Sequence, residues 1–516
     1  MSRRTSLEAS AAAACLAAAI LIGGGTRTAW AATTFVPSIG ADAVWTDNLY
    51  LAPPGAEKAG EIYDVQPGLQ FEHDSVREHA TLDYTLYALF FSGDKHDFLQ
   101  DGKLVSITQV VPSWFELDLS GGRTQGAANP ALPSNSQFLL PVSNLANYTT
   151  GRVTPLLKHD FRDFELQASY TRGFGDSGLA NGQAPPAGVA AVGSSYRSNQ
   201  RDAAFSVSSI DRNARLTWRA DYQRDQADYE SPYFLRYVDE RANAELGLLT
   251  IPTLRLIARG GKESNPQNGL SQGGLQAPYW AGGFDWSQGP RDELRFLMGH
   301  RYFGRTYEAS ARRESRLLRL EVSYTEEPTT QDAMLMEQSS AAAPIVQVPG
   351  ALGFTRLSPD VFLSKALSGA ASITGRVTEI GLSVESDERT YYAFGNPGPA
   401  GGFVNATAGF TDRQRSAALY VNRQLGPLMR LALSGTYGKD DLREGAVIGY
   451  NTQIYSAVLT RNLGQRSDLH LRVERYKQSG GSVAYTANIV SLGFKIFFGH
   501  GAPAQSFGSG MGYGPE

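Results

Sequence analysis

Residues that could do chemistry are few in this chain. Gly269-Leu270-Ser271-Gln272-Gly273 has the G-x-S-x-G spacing of a nucleophile elbow. That chemistry needs a strand-to-helix turn to strain the serine outward. Here the pentapeptide lies in a Gly/Asn/Gln-rich stretch with no helical pattern after it. His73 and His79 are six apart across a predicted turn, a spacing that matches no metal motif. Asp94 and Asp97 could touch a calcium ion, but their loop lacks the EF-hand pattern. No phosphate-binding loop or H-E-x-x-H is spelled anywhere, and no G-x-G-x-x-G opens a helical pattern as a dinucleotide fingerprint must. Cys15 is the only cysteine and falls in the leader, leaving no disulfide, thiolate metal site or cysteine nucleophile. The expectation is a non-enzyme without cofactor or metal.

What recurs is arginine. Arg215, Arg219, Arg255, Arg259, Arg295, Arg301, Arg319, Arg430 and Arg472 all fall on the polar side of alternating stretches. A guanidinium is a rigid donor fork suited to carboxylates and sugar hydroxyls. Asp83, Asp221, Glu321 and Glu474 share those faces. Two readings stay open. One is an interior track for acidic or neutral polysaccharide, with Tyr and Trp stacking on sugar rings. The other is a web of charge pairs that stiffens a wall.

Such faces require strands, whose successive side chains point to opposite sides. In 428–438, Met429, Leu431, Leu433 and Tyr437 oppose Arg430, Ala432, Ser434 and Thr436. In 316–325, Leu318, Leu320, Val322 and Tyr324 oppose Arg319, Glu321, Ser323 and Thr325. In 215–223, Leu216, Trp218, Ala220 and Tyr222 oppose Arg215, Thr217, Arg219 and Asp221. Leu82, Tyr84, Leu86, Ala88 and Phe90 line one side of another run. No stretch beyond the leader has 3.6-residue periodicity.

The last run, 491–498, reads S-L-G-F-K-I-F-F. Val490, Leu492, Phe494, Ile496 and Phe498 form an apolar face, and Ser491, Gly493 and Lys495 the opposite one. A polar residue (Ser491), Gly493 two later, then Ile496 and Phe498 resemble the terminal signal of bacterial outer-membrane barrels. By that signal the barrel-assembly machinery recognises the closing strand.

Connection lengths carry a second order. Long ones at 46–61, 91–102, 121–146, 173–195, 264–277, 327–352, 387–409 and 439–449 alternate with short ones. The short ones lie near Ser75, Pro112, Asp160, Asp211, Pro252, Gly289, Ser315, Gly369, Gly426 and Arg466, with one exception near Gly304. Several carry the Gly, Pro, Asn or Asp that tight turns need. The expected fold is all-β: a transmembrane antiparallel barrel of about 22 strands (range 18–22), with short periplasmic turns and long extracellular loops. A soluble propeller or sandwich also has many short strands, but explains neither the loop alternation nor a polar face on nearly every strand. Trp280, Tyr302, Phe303, Phe497 and Phe498 are expected in interfacial girdles.

The amino terminus agrees. Arg3 and Arg4, an apolar run over 11–22 and Ala29-Trp30-Ala31 read as a signal peptide over 1–31, cleaved near Ala31-Ala32. Ser2-Arg3-Arg4 spells a twin-arginine start, but that route carries folded cargo, whereas a barrel crosses unfolded. Removing the leader takes away three arginines and one glutamate, leaving 44 basic and 50 acidic residues and a net charge of −6. This mild acidity argues against nucleic acid as partner. The mean hydropathy of −0.27 looks soluble, as it must when only alternate residues face lipid. Residues 32–498 are then the barrel and 499–516 a flexible Gly/Ser/Pro-rich tail. No plug domain fits before the first strand at Phe35. Either loops 121–146, 173–195, 327–352 or 387–409 fold inward, or an aqueous channel remains.

Trp286-Ser287-Gln288-Gly289-Pro290-Arg291, Leu294, then Gly299-His300-Arg301-Tyr302-Phe303-Gly304, Tyr307, Arg312-Arg313, Tyr324 and Thr329 form a progression. With Trp45-Thr46-Asp47-Asn48 and Val65-Gln66-Pro67-Gly68-Leu69 near the start, it resembles the PEP-CTERM system-associated outer-membrane protein family. That family has W-x-P-S-x-R-T, G-x-R-F-F-G, Y and H-R here, where this chain has S-Q-G-P for P-S and R-R for H-R. The resemblance implies an exosortase-linked setting with exopolysaccharide production and carries over no functional residue. The partners it leads one to expect are outer-membrane lipid, the assembly machinery, polysaccharide and periplasmic export components. The first functional expectation is a passive conduit serving exopolysaccharide export or exosortase-linked envelope sorting. A diffusion porin and a loop-sealed scaffold stand beside it.

Overall fold

The computed structural model describes residues 32–92, 95–127, 145–179, 195–211, 214–230, 236–264, 277–289, 291–330, 333–334, 361–391, 411–441, 449–480 and 484–498. The alternating runs form strands. The wall begins with β1 (Ala32–Thr46), β2 (Gly60–Asp74), β3 (Glu78–Phe91), β4 (Lys95–Val111), β5 (Phe115–Ala127) and β6 (Leu145–Asp160). It continues through β7 (Phe164–Leu179), β8 (Ser195–Ser209), β9 (Leu216–Tyr229), β10 (Arg236–Ile251), β11 (Leu254–Ser264) and β12 (Ala277–Gly289). Next come β13 (Asp292–Arg301), β14 (Gly304–Glu314), β15 (Leu318–Thr330), β16 (Val361–Thr374) and β17 (Thr378–Tyr391). The wall ends with β18 (Thr411–Gly426), β19 (Met429–Asp440), β20 (Tyr450–Asn462), β21 (Ser467–Gly480) and β22 (Tyr485–Phe497).

Each strand pairs antiparallel with its chain neighbour, and β1 pairs with β22 from Ser38↔Phe497 to Thr46↔Ile489. The sheet is therefore a closed 22-stranded barrel. Leu382, Leu419, Leu433, Leu471 and Leu492 are exposed on its outer face, whereas Asp64, Glu263, Asp440 and Glu474 are buried. The usual inside–outside rule is inverted because the medium outside is hydrocarbon. At about 4.8 Å between strands and a tilt near 40°, a round section would be about 44 Å across, too wide for facing side chains to fill.

On the side where β1 begins, ten turns span 75–77, 112–114, 161–163, 210–215, 252–253, 290–291, 315–317, 375–377, 427–428 and 463–466. Nine lie at or beside the expected positions. The exception is Gly369, which sits inside β16 opposite Val322 and Val384. Its small neighbours resemble a turn in sequence, but the ladder runs on to Thr374. The chain reverses at Gly375, whose N–H donates to the Thr378 carbonyl at 2.7 Å.

On the other side the expected long–short rule is too simple. Besides 302–303 near Gly304, connections 92–94, 230–235 and 481–484 are also short. The expected long loop 91–102 is wrong: 95–102 forms the start of β4, paired with 84–91 of β3. β5, β7 and β17 likewise extend into residues expected as loop. The reason is physical: hydrogen bonding continues above the apolar belt, where outward residues turn polar and the alternation fades.

Among the described residues one connection folds into the barrel mouth, and it was not one of those expected to; most of each expected loop (121–146, 173–195, 327–352 and 387–409) lies outside the described residues. Leu49 and Leu51, between β1 and β2, are buried with Val44, Ile62, Leu89, Leu99, Ile454, Tyr476 and Ile489 of the inner face. Asn48 ties this segment to β22, its amide donating to the Thr486 carbonyl at 2.9 Å. The leader, the G-x-S-x-G stretch, Asp94 and the tail lie outside the described residues.

Candidate functional site

Between β10 and β15 the inner face carries a cluster of interlocked charges. Glu245 and Arg259 are register neighbours on β10 and β11, and Asp285 and Arg295 on β12 and β13. Arg259 donates to Glu245 at 2.8–2.9 Å and to Glu308 of β14 at 3.0 Å. Arg295 reaches Glu245 at 2.9 Å, Asp285 at 3.3 Å and Glu308 at 3.4 Å. Two arginines and three carboxylates thus interlock across strands up to three apart. Gly283, on the inner face of β12 between them, lets β12 and β13 approach closely, since a Cβ there would strike the Phe296 and Leu297 backbone.

Nearer the extracellular rim, Arg301 and Glu263 pair at 2.7 Å, both buried, with the guanidinium 4.9 Å from the Phe303 ring centroid. Glu263 also accepts the Tyr302 N–H at 3.0 Å. Arg241 of β10 lies 3.7 Å from Glu327 of β15, and the Tyr237 hydroxyl donates to the Pro328 carbonyl at 3.3 Å. Strands five apart in a flat sheet would be separated by about 24 Å, far beyond such a contact. The wall from β10 to β15 therefore curls into a tight corner stapled by ion pairs. Just outside it, Asp202, Asp225 and Asp239 stand opposite one another across β8, β9 and β10, so the inner face is mixed in sign.

The remaining expected residues join this web unevenly. Arg219 pairs with Asp221 at 3.1 Å, and Asp221 also accepts from Asn243. Arg255 stands opposite Leu249 and Asp285. Arg319 pairs with Glu314 at 3.2 Å, and Glu321 stands opposite Arg312. Arg430 lies between Gln424 and Thr460 in the ladder. Arg472 is 3.9 Å from the fully buried Glu474. Arg215 departs from expectation: it closes the 210–215 turn, exposed, where its carbonyl accepts the Leu249 N–H at 2.8 Å. His73 bonds Thr33 at 2.8 Å, and His79 is 3.7 Å from Asp74. Sequence reading missed Arg241, Glu245, Glu263, Asp285 and Glu308. The period-2 pattern of β10 and β11 could have found the first three.

The closing strand has its own arrangement. Ser491 and Gly493 face inward, Leu492, Phe494 and Phe498 face outward, and Ile496 is half-buried. Gly493 stands between Asp42 of β1 and His470 of β21. Those two side chains meet over it at 2.9 Å, and a Cβ on Gly493 would overlap both. Gln66 donates to Asp42 at 2.5 Å and to Asp64 at 2.6 Å. The Phe498 N–H donates to the Pro37 carbonyl at 2.7 Å. Phe497, expected in a girdle, is instead buried with Lys495 Nζ 5.4 Å from its ring centroid.

Closure, inverted polarity and a sealed β1–β22 seam define a barrel of the outer-membrane type. No family model and no curated protein matches the chain. Among solved structures it is similar to the apoprotein form of the FrpB iron transporter from Neisseria meningitidis, at 11% identity and a TM-score of 0.48 over 90% of this chain and 81% of that one. The siderophore receptor PirA from Acinetobacter baumannii is similar at 8% identity and 0.43, covering 92% and 81%. A BenF-like porin from Pseudomonas fluorescens Pf-5 is similar at 8% and 0.35, covering 90% and 99%.

Proposed function

We propose that the protein is a passive outer-membrane conduit for polar, hydroxyl-rich or anionic cargo. The observation that carries this reading is a closed 22-strand wall whose inner face bears arginines held in place by carboxylates. Guanidinium groups already oriented by neighbours present leftover N–H donors to a passing solute at little ordering cost. The finer reading follows from the family resemblance. The cargo is exopolysaccharide, or envelope components of an exosortase-linked system, with the driving force supplied from inside the cell.

A second reading, a sealed scaffold, is favoured by two other observations: the ion-paired corner and the inward-folded 47–59 segment both narrow the lumen. Planar-bilayer conductance separates the two. Stable current that falls when the host's own polysaccharide is added supports the conduit. Current indifferent to polymer marks a diffusion porin, and complete silence leaves the scaffold.

A further inference from the structure

The periplasmic turns share a composition that the lumen does not explain. Arg77, Arg162, Arg215, Arg291, Arg316, Arg376 and Arg466 lie in seven of the ten turns, and all are exposed. None has an ion pair among the described residues, in contrast to Arg259, Arg295 and Arg301 of the lumen. The ten turns hold only two acids, Asp163 and Asp211. The seven turns are spread around the whole circumference, from β2–β3 through β8–β9 and β14–β15 to β20–β21.

Beside these cations stand exposed apolar residues: Val76 at 83%, Leu317 at 56%, Val377 at 50% and Phe161 at 39% exposure. The apolar outer belt runs up to the turns, with exposed Leu216 next to Arg215 and exposed Ile373 and Ile380 on either side of 375–377. The turns thus emerge at the depth where hydrocarbon gives way to headgroups. There the apolar residue gains by entering the lipid, while the long arginine side chain reaches back to water and phosphate.

We propose that this ring is a collar binding the phosphate groups of anionic phospholipids in the periplasmic leaflet. Its arginines act as cations on those phosphates, one or more to most hairpins. An acidic soluble partner would need cations clustered to suit its own surface. The even spread and the adjacent apolar residues fit a lipid annulus instead.

The test uses the full barrel and two seven-site variants, Arg→Gln and Arg→Lys at these positions. Folding of each is checked by heat-modifiable gel migration. The proteins are reconstituted in vesicles of phosphatidylethanolamine alone or with about one part in four phosphatidylglycerol. Retained lipid is then counted by native mass spectrometry. The expected result is phosphatidylglycerol retention by the wild type, about fivefold less in the Gln variant and recovery in the Lys variant, with phosphatidylethanolamine unchanged. Inorganic phosphate and polyglutamate, each added in detergent, form the competing arms. Equal phosphatidylglycerol retention by wild type and Gln variant overturns the proposal. So does failure of the Lys variant to recover it. Charge-dependent capture of polyglutamate or free phosphate with no lipid preference also overturns it, pointing to a docking face or a simple anion site.

Discussion

The corner between β10 and β15 and the mouth around β20, β21, β22 and β1 to β4 both narrow a barrel that is too wide to fill, by opposite chemistry. The corner uses ion pairs that reach across three to five strands. The mouth uses an aliphatic and aromatic cluster capped by Leu49 and Leu51. Buried ion pairs depend on geometry and tolerate little repositioning, whereas apolar packing tolerates exchange at similar volume. The corner is therefore the fixed half of the lumen and the mouth the half that can repack. A gate, if the barrel opens and closes, belongs at the mouth.

The largest effect is expected where the barrel closes. Gly493→Val puts side-chain atoms into the space where Asp42 and His470 meet across the last strand. Both side chains would be forced apart and the β1–β22 register strained. Heat-modifiable migration of cell envelopes should show loss of most folded barrel. Normal migration would mean that the seam does not need this glycine.

Next comes the corner. Glu263→Ala leaves Arg301 buried without its carboxylate and removes the acceptor of the Tyr302 N–H. Stranding one partner of a buried pair costs on the order of 3–5 kcal/mol, so the urea midpoint of unfolding should fall clearly. Arg301→Met together with Glu263→Leu should recover much of it, since replacing both partners by apolar groups is often neutral. No recovery would show that the corner requires charge and not volume alone.

These contrasts also explain what could be read in advance. The strand alternation and nine of the ten periplasmic turns were legible because lipid imposes the same demand on every hairpin. Strand ends above the belt were not, since there the outward residues of β5, β7 and β17 cease to be apolar while the ladder continues. That arginines line the interior was readable from parity alone. Their partners were not: Arg259 finds Glu308, and Arg241 finds Glu327, only because the wall curls. Gly493 was recognised from its place in a terminal pattern, but the pair that passes over it becomes visible only once strands 1, 21 and 22 are in register. Arg215 follows from extending the alternation one residue ahead of the start of β9, into a turn.

At the mouth, Leu49→Ala with Leu51→Ala removes two buried side chains from the cluster that covers the inner face. A buried leucine truncated to alanine costs about 2–5 kcal/mol when its surroundings cannot relax. Both leucines lie in a connection outside the strand ladder, where neighbours can close in, so the loss should lie at the low end of that range. The distinguishing readout is electrical. If the mouth is the adjustable half, the double variant should raise single-channel conductance or add brief openings, while the folded fraction stays near wild type. Unchanged conductance would place the narrowest point at the corner.

The smallest effect on stability tests the selectivity of the wall beside the corner. Arg219→Gln removes one cation from the inner face of β9 but leaves Asp221 bonded to Asn243, and Arg219 is exposed. An exposed pair contributes at most about 1 kcal/mol, so the unfolding midpoint should barely move. Charge selectivity should respond instead: with one fixed cation gone, the reversal potential in a salt gradient should shift toward cation preference. The shift should shrink as salt rises toward molar concentration, where the screening length falls to about 3 Å. A shift independent of salt would mean that Arg219 acts by shape. No shift at all would place β9 off the conducting path and leave the interlocked Arg259 and Arg295 as the charges that any solute meets.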